Sequence, residues 1–251
     1  MSCAIDLSPR FSAHSRRTSL FLSLAAVALL ATAAAGAHAQ FAAPAPGTQV
    51  HDPSALRPPA GARVAMVEWE DMECPDCGRA NPLLKEAAAK YKIPWVRHDF
   101  PLPFHAWSFD AAVNARWFDT KSKALGDEYR DEVFASQTAI VSRDVLRQFT
   151  EKFAQNHSVS LPFAMDPQGK LAADVKADYA LGQRVGIEHT PTIWVVTANS
   201  KGAPFVEVVD RSKLFQLIDQ ALADTASAKP APAATPVRKP AAAPAKKPTG
   251  N

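Results

Sequence analysis

Two cysteines separated by two residues lie where a predicted buried strand is followed by a predicted helix, and this junction limits the possible folds more than any other feature. Residues 64–69 are mostly apolar, and beyond Cys77 apolar residues recur at helical spacing. A cysteine at the start of a helix meets free backbone N–H groups and the positive end of the helix dipole, which lower its pKa. Cys74 holds that position, and Pro75 suits the first helical residue because its missing N–H is not needed there. The sequence therefore predicts a reactive dithiol in Cys74-Pro75-Asp76-Cys77.

The number of cysteines favours a reactive pair over a disulfide that only stabilises the fold. The chain has three cysteines, and Cys3 lies in a segment predicted to be removed. Small secreted scaffolds carry several pairs for stability, whereas only Cys74 and Cys77 remain here. A zinc site needs a second cysteine pair or well-spaced histidines, and a disulfide that closes so small a loop adds little stability. Copper binding by the pair together with a histidine stays open as an alternative.

The first 39 residues have the pattern of an export signal. Three arginines lie among the first 17 residues, an apolar run follows at 20–30, and Ala37-His38-Ala39 has the small-x-small pattern of a cleavage site. We predict cleavage after Ala39. The run is shorter than the ~20 residues that a membrane span needs, although a retained anchor remains an alternative.

Two further segments differ in composition from the rest. Residues 40–61 are rich in Pro, Ala and Gly and are predicted to be a linker, and residues 226–251 form an Ala, Pro and Lys-rich tail. The tail has no large apolar side chain to offset its ordering entropy, so we predict a disordered arm. The formal net charge of +3 comes from the basic ends, which excludes a basic nucleic-acid-binding core. The tail is either solvated without a partner or in weak contact with anionic envelope surfaces.

Residues 62–225 have the pattern of one α/β domain. Strands are predicted at 64–69, 93–100, 192–197 and 204–209, and helices from Cys74, then at 111–118, 127–136, 143–155, 167–185 and 212–223. Ser142 is predicted to cap the helix at 143–155, and Asp166-Pro167 to begin the next. A helical block at about 106–185 therefore separates the two halves of the sheet.

These features together resemble the DsbA-like branch of the thioredoxin superfamily. The resemblance is carried by residues 68–77 around the cysteine pair, by 98–105 after the second strand, by the helical block, and by the Thr-Pro segment at 186–192. It implies an α/β thioredoxin-like fold with an inserted helical subdomain. It also implies thiol–disulfide exchange with unfolded or reduced client proteins, without a cofactor or metal, and a membrane redox partner that resets the pair.

The resemblance assigns roles to five residues. Cys74 is the attacking or attacked sulfur, and Cys77 resolves the mixed disulfide. Glu68 corresponds to a buried acid that moves protons to and from Cys77. Pro191 corresponds to a cis proline that faces the pair, and Thr190 pairs its backbone with an extended client.

Asp76 departs from the pattern of strongly oxidising relatives, which carry His between the cysteines. A carboxylate opposes the Cys74 thiolate, and Glu73 adds negative charge, so both are expected to raise the pKa of Cys74 and make the disulfide less oxidising. Pro75 and Asp76 are therefore expected to modulate the site. His189, two residues before Pro191, is expected to offset part of this effect.

The sequence predicts no catalytic role for the other charged residues near the motif. Glu70, Asp71 and Glu73 are interpreted as surface charges. His98 and His105 are interpreted as structural, because their spacing around two prolines suits no regular ligand face.

Three other functions remain possible on the sequence alone. A periplasmic reductase or isomerase differs in redox potential and not in fold. A copper-binding thioredoxin-like protein uses the same two cysteines as ligands. A non-catalytic adaptor depends on the basic tail.

The sequence predicts a redox potential between the DsbA and thioredoxin extremes, at about −150 to −240 mV. The physical reason is the negative charge of Asp76 beside Cys74. The measurement is the equilibrium of the Cys74–Cys77 pair with glutathione. A potential near about −270 mV, in the thioredoxin range, would contradict the prediction and favour a reductase.

Overall fold

The computed structural model describes residues 56–198, 205–227 and 230. The predicted signal peptide at 1–39 lies outside this part, as do most of the predicted linker and tail. Leu56 belongs to the predicted linker but is buried against one face of the sheet. The packed domain therefore begins before residue 62.

Strands and helices follow one another in the predicted order. The strands are β1 (Val64–Glu70), β2 (Trp95–Asp99), β3 (Thr192–Thr197) and β4 (Phe205–Glu207). The helices are α1 (Pro75–Tyr91), α2 (Ser108–Asp119), α3 (Lys123–Ser136), α4 (Arg143–Asn156), α5 (Lys170–Val185) and α6 (Leu214–Asp224), and a 3-10 turn at Arg211–Lys213 precedes α6. Helices α2 to α5 form the insertion between β2 and β3, so the predicted α/β architecture with a helical insertion is confirmed.

The four strands form one mixed sheet in the order β2-β1-β3-β4. Strand β1 is parallel to β2 and antiparallel to β3, and β3 is antiparallel to β4. The register places Glu68 of β1 beside Arg97 of β2 and Ile193 of β3. Strand β1 lies inside the sheet, and the loop at its carboxyl end leads directly to the two cysteines at the start of α1.

Side chains alternate between the two faces of the sheet, as the strand period of two requires. One face packs against α1 and α6 and has a core that includes Met66, Leu84, Ile193, Val195 and Ile218. The other face packs against the end of α5 and has a core that includes Val67, Trp69, Val185, Trp194 and Val196. Both faces are therefore covered, which explains the nearly continuous apolar sequence of the central strands.

The helical insertion has its own aromatic core, and the two cysteines are part of it. The ring of Phe118 lies 4.8 Å from that of Tyr129 and 4.9 Å from that of Phe153, centroid to centroid. Cys74 and Cys77 are buried in the same cluster. The insertion therefore covers the cysteine pair on the side away from solvent.

A buried ion pair joins the sheet to the insertion. Arg97 holds Glu70 with two guanidinium nitrogens, at 3.0 Å and 2.6 Å from Oε2, and both side chains are almost fully buried. Arg130 of α3 lies 3.6 Å from Glu70 and binds Asp119 with both of its terminal nitrogens. The interpretation of Glu70 as a surface charge is wrong, because the end of β1 is covered by the insertion.

A second charged cluster ties β2 to α2 and α5. Arg116 contacts Asp99 and lies 2.5 Å from Asp178. His98 Nδ1 lies 3.0 Å from Asp178, and the backbone N–H of Asp99 donates to the same carboxylate at 3.1 Å. These contacts agree with a structural role for His98.

Two predicted helix starts have different outcomes. Ser142 caps α4 as predicted, since its hydroxyl accepts the N–H of Val145 at 3.3 Å. Helix α5 begins later than predicted, with Gly169 as the N-cap in a left-handed conformation. Asp166 still serves this helix end, because its carboxylate accepts the N–H of Ala172 at 2.8 Å.

In the part of the chain that the structure describes, no helix has the length and apolar character needed to cross a membrane.

We predict that Glu70→Gln lowers the free energy of unfolding by about 3 kcal/mol or more, because it leaves the buried Arg97 charge without its main partner. The measurement is urea denaturation with the cysteines kept reduced. Glu151→Gln is the control, since it breaks the exposed pair with Arg147 and costs less than about 1 kcal/mol. Equal, small losses in the two variants would contradict the prediction.

Candidate active site

The cysteine pair lies at the start of α1, directly after the loop that follows β1. Cys74 is the N-cap residue in an extended conformation, and Pro75 occupies the first turn. Cys77 is fully buried, whereas Cys74 keeps 8% of its surface exposed. Both are free thiols in the structure. Only the first cysteine is therefore placed to meet a second molecule.

The two thiols have opposite acidities. The pKa of Cys74 falls from 9.0 to about 5, mainly because the Cys77 thiol hydrogen-bonds to it, with further contributions from Thr190 and from backbone N–H groups at the helix start. Burial, hydrogen bonding to Cys74 and the nearby Glu68 raise the pKa of Cys77 well above 9.0. Near neutral pH Cys74 is thus a thiolate and Cys77 holds its proton.

Glu68 lies inside the fold below the pair. Its side chain is on the face of β1 that α1 covers, it is 1% exposed, and Trp95 Nε1 donates a hydrogen bond to its Oε2 at 3.0 Å. Burial, followed by repulsion from Glu70, raises the pKa of Glu68 from 4.5 to about 8. The carboxyl group can therefore exchange a proton near neutral pH.

The loop before β3 lies against Cys74. The Thr190–Pro191 peptide bond is cis, and the carbonyl oxygen of Thr190 lies 3.3 Å from the Cys74 sulfur. The His189 carbonyl accepts the hydroxyl of Thr192 at 2.7 Å, which braces the loop.

A groove of about 470 Å³ runs beside the pair. Its walls include Asp76, His189, Pro191, Val209 and Arg211. His189 is exposed in this wall. The groove therefore connects the cysteine motif, the loop before β3 and the turn that precedes α6.

The acidic residues around Cys74 are held by partners. Asp76 is paired with Arg211 at 2.6 Å and with Arg79 at 3.0 Å, and these contacts, first that with Arg211, lower its pKa. Glu73 accepts the N–H of Trp107 at 2.7 Å at the start of α2. The pKa of Cys74 nevertheless falls, mainly through the hydrogen bond from Cys77, so the predicted rise is wrong. Glu73 is not a free surface charge.

A family model described as Thioredoxin matches residues 59–211. The chain belongs to the thioredoxin family. No curated protein sequence matches it closely enough to count as a relative.

Solved structures of DsbA-like proteins have a fold similar to that of this chain. α-DsbA1 from Wolbachia pipientis is 16% identical, with 73% of this chain and 95% of that chain covered and a TM-score of 0.55. A periplasmic thioredoxin-like protein from Salmonella enterica serovar Typhimurium is 17% identical, with 68% and 92% covered and a TM-score of 0.51. BdbD from Bacillus subtilis is 19% identical, with 66% and 99% covered and a TM-score of 0.50. The predicted thioredoxin-like fold of DsbA type is confirmed.

Sequence reasoning missed a buried aspartate whose backbone contacts Cys77. Asp71 is buried, its N–H points at the Cys77 sulfur at 3.4 Å, and its carboxylate accepts the N–H of Leu102 at 2.6 Å. His105 Nδ1 lies 2.7 Å from the same carboxylate. The interpretation of Asp71 as a surface charge is wrong, because the segment after β2 folds over it. That segment was recognised in the sequence, but its contact with the motif was not.

The insertion also supports the motif through Gln137, which follows α3. Its amide donates to the carbonyl of Met72 at 2.8 Å and to that of Cys74 at 2.9 Å. A Cβ on Gly78 would lie 2.6 Å from the Gln137 side-chain oxygen, so the glycine leaves room for this contact. No local sequence signal marks Gln137.

Three possible metal ligands meet away from the cysteines. Atoms of Glu128, Glu132 and His157 lie within 4.8 Å of one another. Exposed acidic groups commonly gather without a metal, so no site is assigned to them.

We predict that Glu68 makes the stability of the reduced protein pH-dependent. The unfolded chain releases this proton near pH 4.5 and the folded chain near pH 8, so the contribution is full below about pH 4.5 and is lost as the pH rises to about 8. Glu68→Gln should remove a decline on the order of 5 kcal/mol across this range. Urea denaturation at several pH values measures it.

The exposed Glu86 provides the matched control for this prediction. Glu86→Gln should leave the dependence of stability on pH unchanged. A Glu68→Gln protein whose stability still follows the original pH curve would show that the carboxyl group is ionised in the fold.

Proposed function

We propose that the protein is an exported thiol–disulfide oxidoreductase that exchanges disulfides with client proteins through Cys74 and Cys77. The observation that carries the proposal is the contrast between the two thiols. Cys74 is partly exposed and acidic, whereas Cys77 is buried and holds its proton. Exchange needs one sulfur that reacts with the client and a second that resolves the mixed disulfide.

The oxidised pair would accept two electrons from a client dithiol. A client thiolate attacks the Cys74 sulfur, the Cys74–Cys77 bond breaks, and Cys77 leaves as a thiolate that takes up a proton. The second client thiolate then attacks the client sulfur of the mixed disulfide and releases Cys74 as a thiolate. The client gains a disulfide, the pair is reduced, and a membrane redox partner would later remove the two electrons.

Glu68 is the proposed proton donor and acceptor for Cys77. The interaction of the two groups raises the pKa of Cys77, and burial keeps the carboxyl group protonated up to a pKa of about 8. A neutral acid below a leaving thiolate can supply the proton that the thiolate needs. The same group, once ionised, can remove that proton when Cys77 attacks.

The acidity of Cys74 supports donation of disulfides as the main direction. A stable thiolate favours the reduced form of the pair and so makes its disulfide more oxidising. The value of about 5 lies between the values of about 3.5 for DsbA and about 7 for thioredoxin. A reductase or isomerase remains the alternative on the same fold.

The groove beside Pro191 is the proposed client site. An extended client would pair its backbone with that of Thr190, whose carbonyl oxygen lies 3.3 Å from the Cys74 sulfur. Val209 lines the groove and is 86% exposed, which offers an apolar contact to an unfolded client. His189 and Asp76 lie in the same walls and would modulate the contact.

The proposed setting is the bacterial envelope. Residues 1–39 would direct export and be cleaved after Ala39, residues 40–61 would link the domain, and residues 226–251 would form the basic tail. The Salmonella protein of similar fold is described as periplasmic. The composition of residues 1–39 supports the same location for this chain.

The test uses Cys77→Ala, in which the Cys74 thiolate should attack oxidised glutathione or a disulfide of an unfolded client, release one thiolate and remain trapped in a mixed disulfide. The trapped adduct has no resolving thiol, so it should accumulate and be visible as a mass increase by mass spectrometry. Cys74→Ala is the matched control and should form no such adduct, since Cys77 is buried. Equal adduct formation in the two variants would overturn the assignment of roles. Wild-type protein that shows no reversible dithiol–disulfide equilibrium would overturn the function itself.

A further inference from the structure

Arg211 reaches the active site from the opposite end of the domain sequence. It begins the 3-10 turn between β4 and α6 and lines the groove together with Asp76 and Pro191. No sequence pattern connects it with the cysteine motif. Its position therefore follows from the fold alone.

Arg211 holds Asp76 by two contacts. Its Nη2 lies 2.6 Å from the Asp76 carboxylate, and its Nη1 donates to the Asp76 carbonyl at 3.4 Å. Arg79 also reaches the carboxylate, but its side chain is 66% exposed, whereas that of Arg211 is 33% exposed. Because an exposed pair is more strongly screened by solvent, Arg211 is the more effective partner.

The position of Asp76 makes this pairing important. A carboxylate between the two cysteines repels the Cys74 thiolate and therefore favours the protonated thiol. The cation of Arg211 offsets this repulsion and also attracts the negative charge of the Cys74 thiolate, which contributes to the raised pKa of the arginine. One guanidinium group thus acts on the carboxylate and on the dithiol.

We propose that Arg211 is a positioning residue of the active site, which holds Asp76 and offsets its negative charge so that Cys74 remains a reactive thiolate. The inference rests on the proposed thiol–disulfide exchange and deepens it. According to this inference, a contact between α1 and the turn before α6 helps to set the acidity of Cys74. Without that contact, the Cys-Pro-Asp-Cys sequence would give a weaker oxidant.

The experiment compares Arg211→Gln, Asp76→Asn, the double variant and Arg79→Gln, each in a chain with Cys3→Ala so that only the pair titrates. Two quantities are measured: the ionisation of Cys74, followed by the ultraviolet absorbance of the thiolate, and the equilibrium constant of the pair with glutathione. Low ionic strength is used because the contact is partly exposed.

Arg211→Gln should raise the pKa of Cys74 and make the disulfide less oxidising by about tenfold in equilibrium constant, or about 30 mV. The double variant should return to within about twofold of the parent, since it removes the carboxylate as well. Arg79→Gln, the matched control on the same carboxylate, should change the constant by less than about twofold.

Three results would overturn the inference. Arg211→Gln could lower stability without moving the ionisation or the potential, which is the result of a purely structural role. Arg79→Gln could have the same effect as Arg211→Gln, or the double variant could stay as weak an oxidant as Arg211→Gln. A parent protein without a reversible equilibrium would instead refute the proposed function, and the thiolate titration would still test Arg211.

Discussion

The central strand β1 is buried over its whole length and yet carries two glutamates on one face, so each carboxyl group has to be accommodated without water. Glu70 lies between two guanidinium groups, and Arg97 and Arg130 tie it to β2 and α3. Glu68 accepts one hydrogen bond from the indole N–H of Trp95, and burial raises its pKa from 4.5 to about 8. One strand therefore supplies both the ion pair that joins the sheet to the insertion and the acid that we propose exchanges protons with Cys77.

The insertion is part of the active site, because it covers the buried side of the cysteine pair. Gln137 holds the carbonyls of the loop that carries Cys74, and Glu73 of that loop caps the start of α2. Cys77 consequently lies in an apolar cluster, where ionisation is costly, while Cys74 lies at the open end of α1. The difference in acidity between two cysteines only three positions apart follows from this covering together with the hydrogen bond between the two thiols.

Local patterns were sufficient for the order of strands and helices and for the position of Cys74 at a helix start. They were insufficient where a segment distant in sequence covers a residue or pairs with its charge. Asp71 and Glu70 follow an apolar run and have the composition of a surface loop, but the segment after β2 and helix α3 cover them. Periodicity describes one element at a time, and it contains no information about which charge another element brings to that place.

Sequence patterns were also insufficient for Asp76, which lies between the two cysteines. Asp76 considered with its sequence neighbours alone predicts a less acidic Cys74. In the fold the Asp76 carboxylate is paired with Arg211, and the hydrogen bond from Cys77 lowers the pKa of Cys74. The effect of Asp76 on the Cys74 thiolate therefore depends on the ion pair that Asp76 forms with Arg211. Since the partner comes from the turn before α6, a change in that turn can alter the reactivity of the site while the Cys-Pro-Asp-Cys motif stays the same. The redox potential of such a protein has to be explained from the groove walls together with the motif.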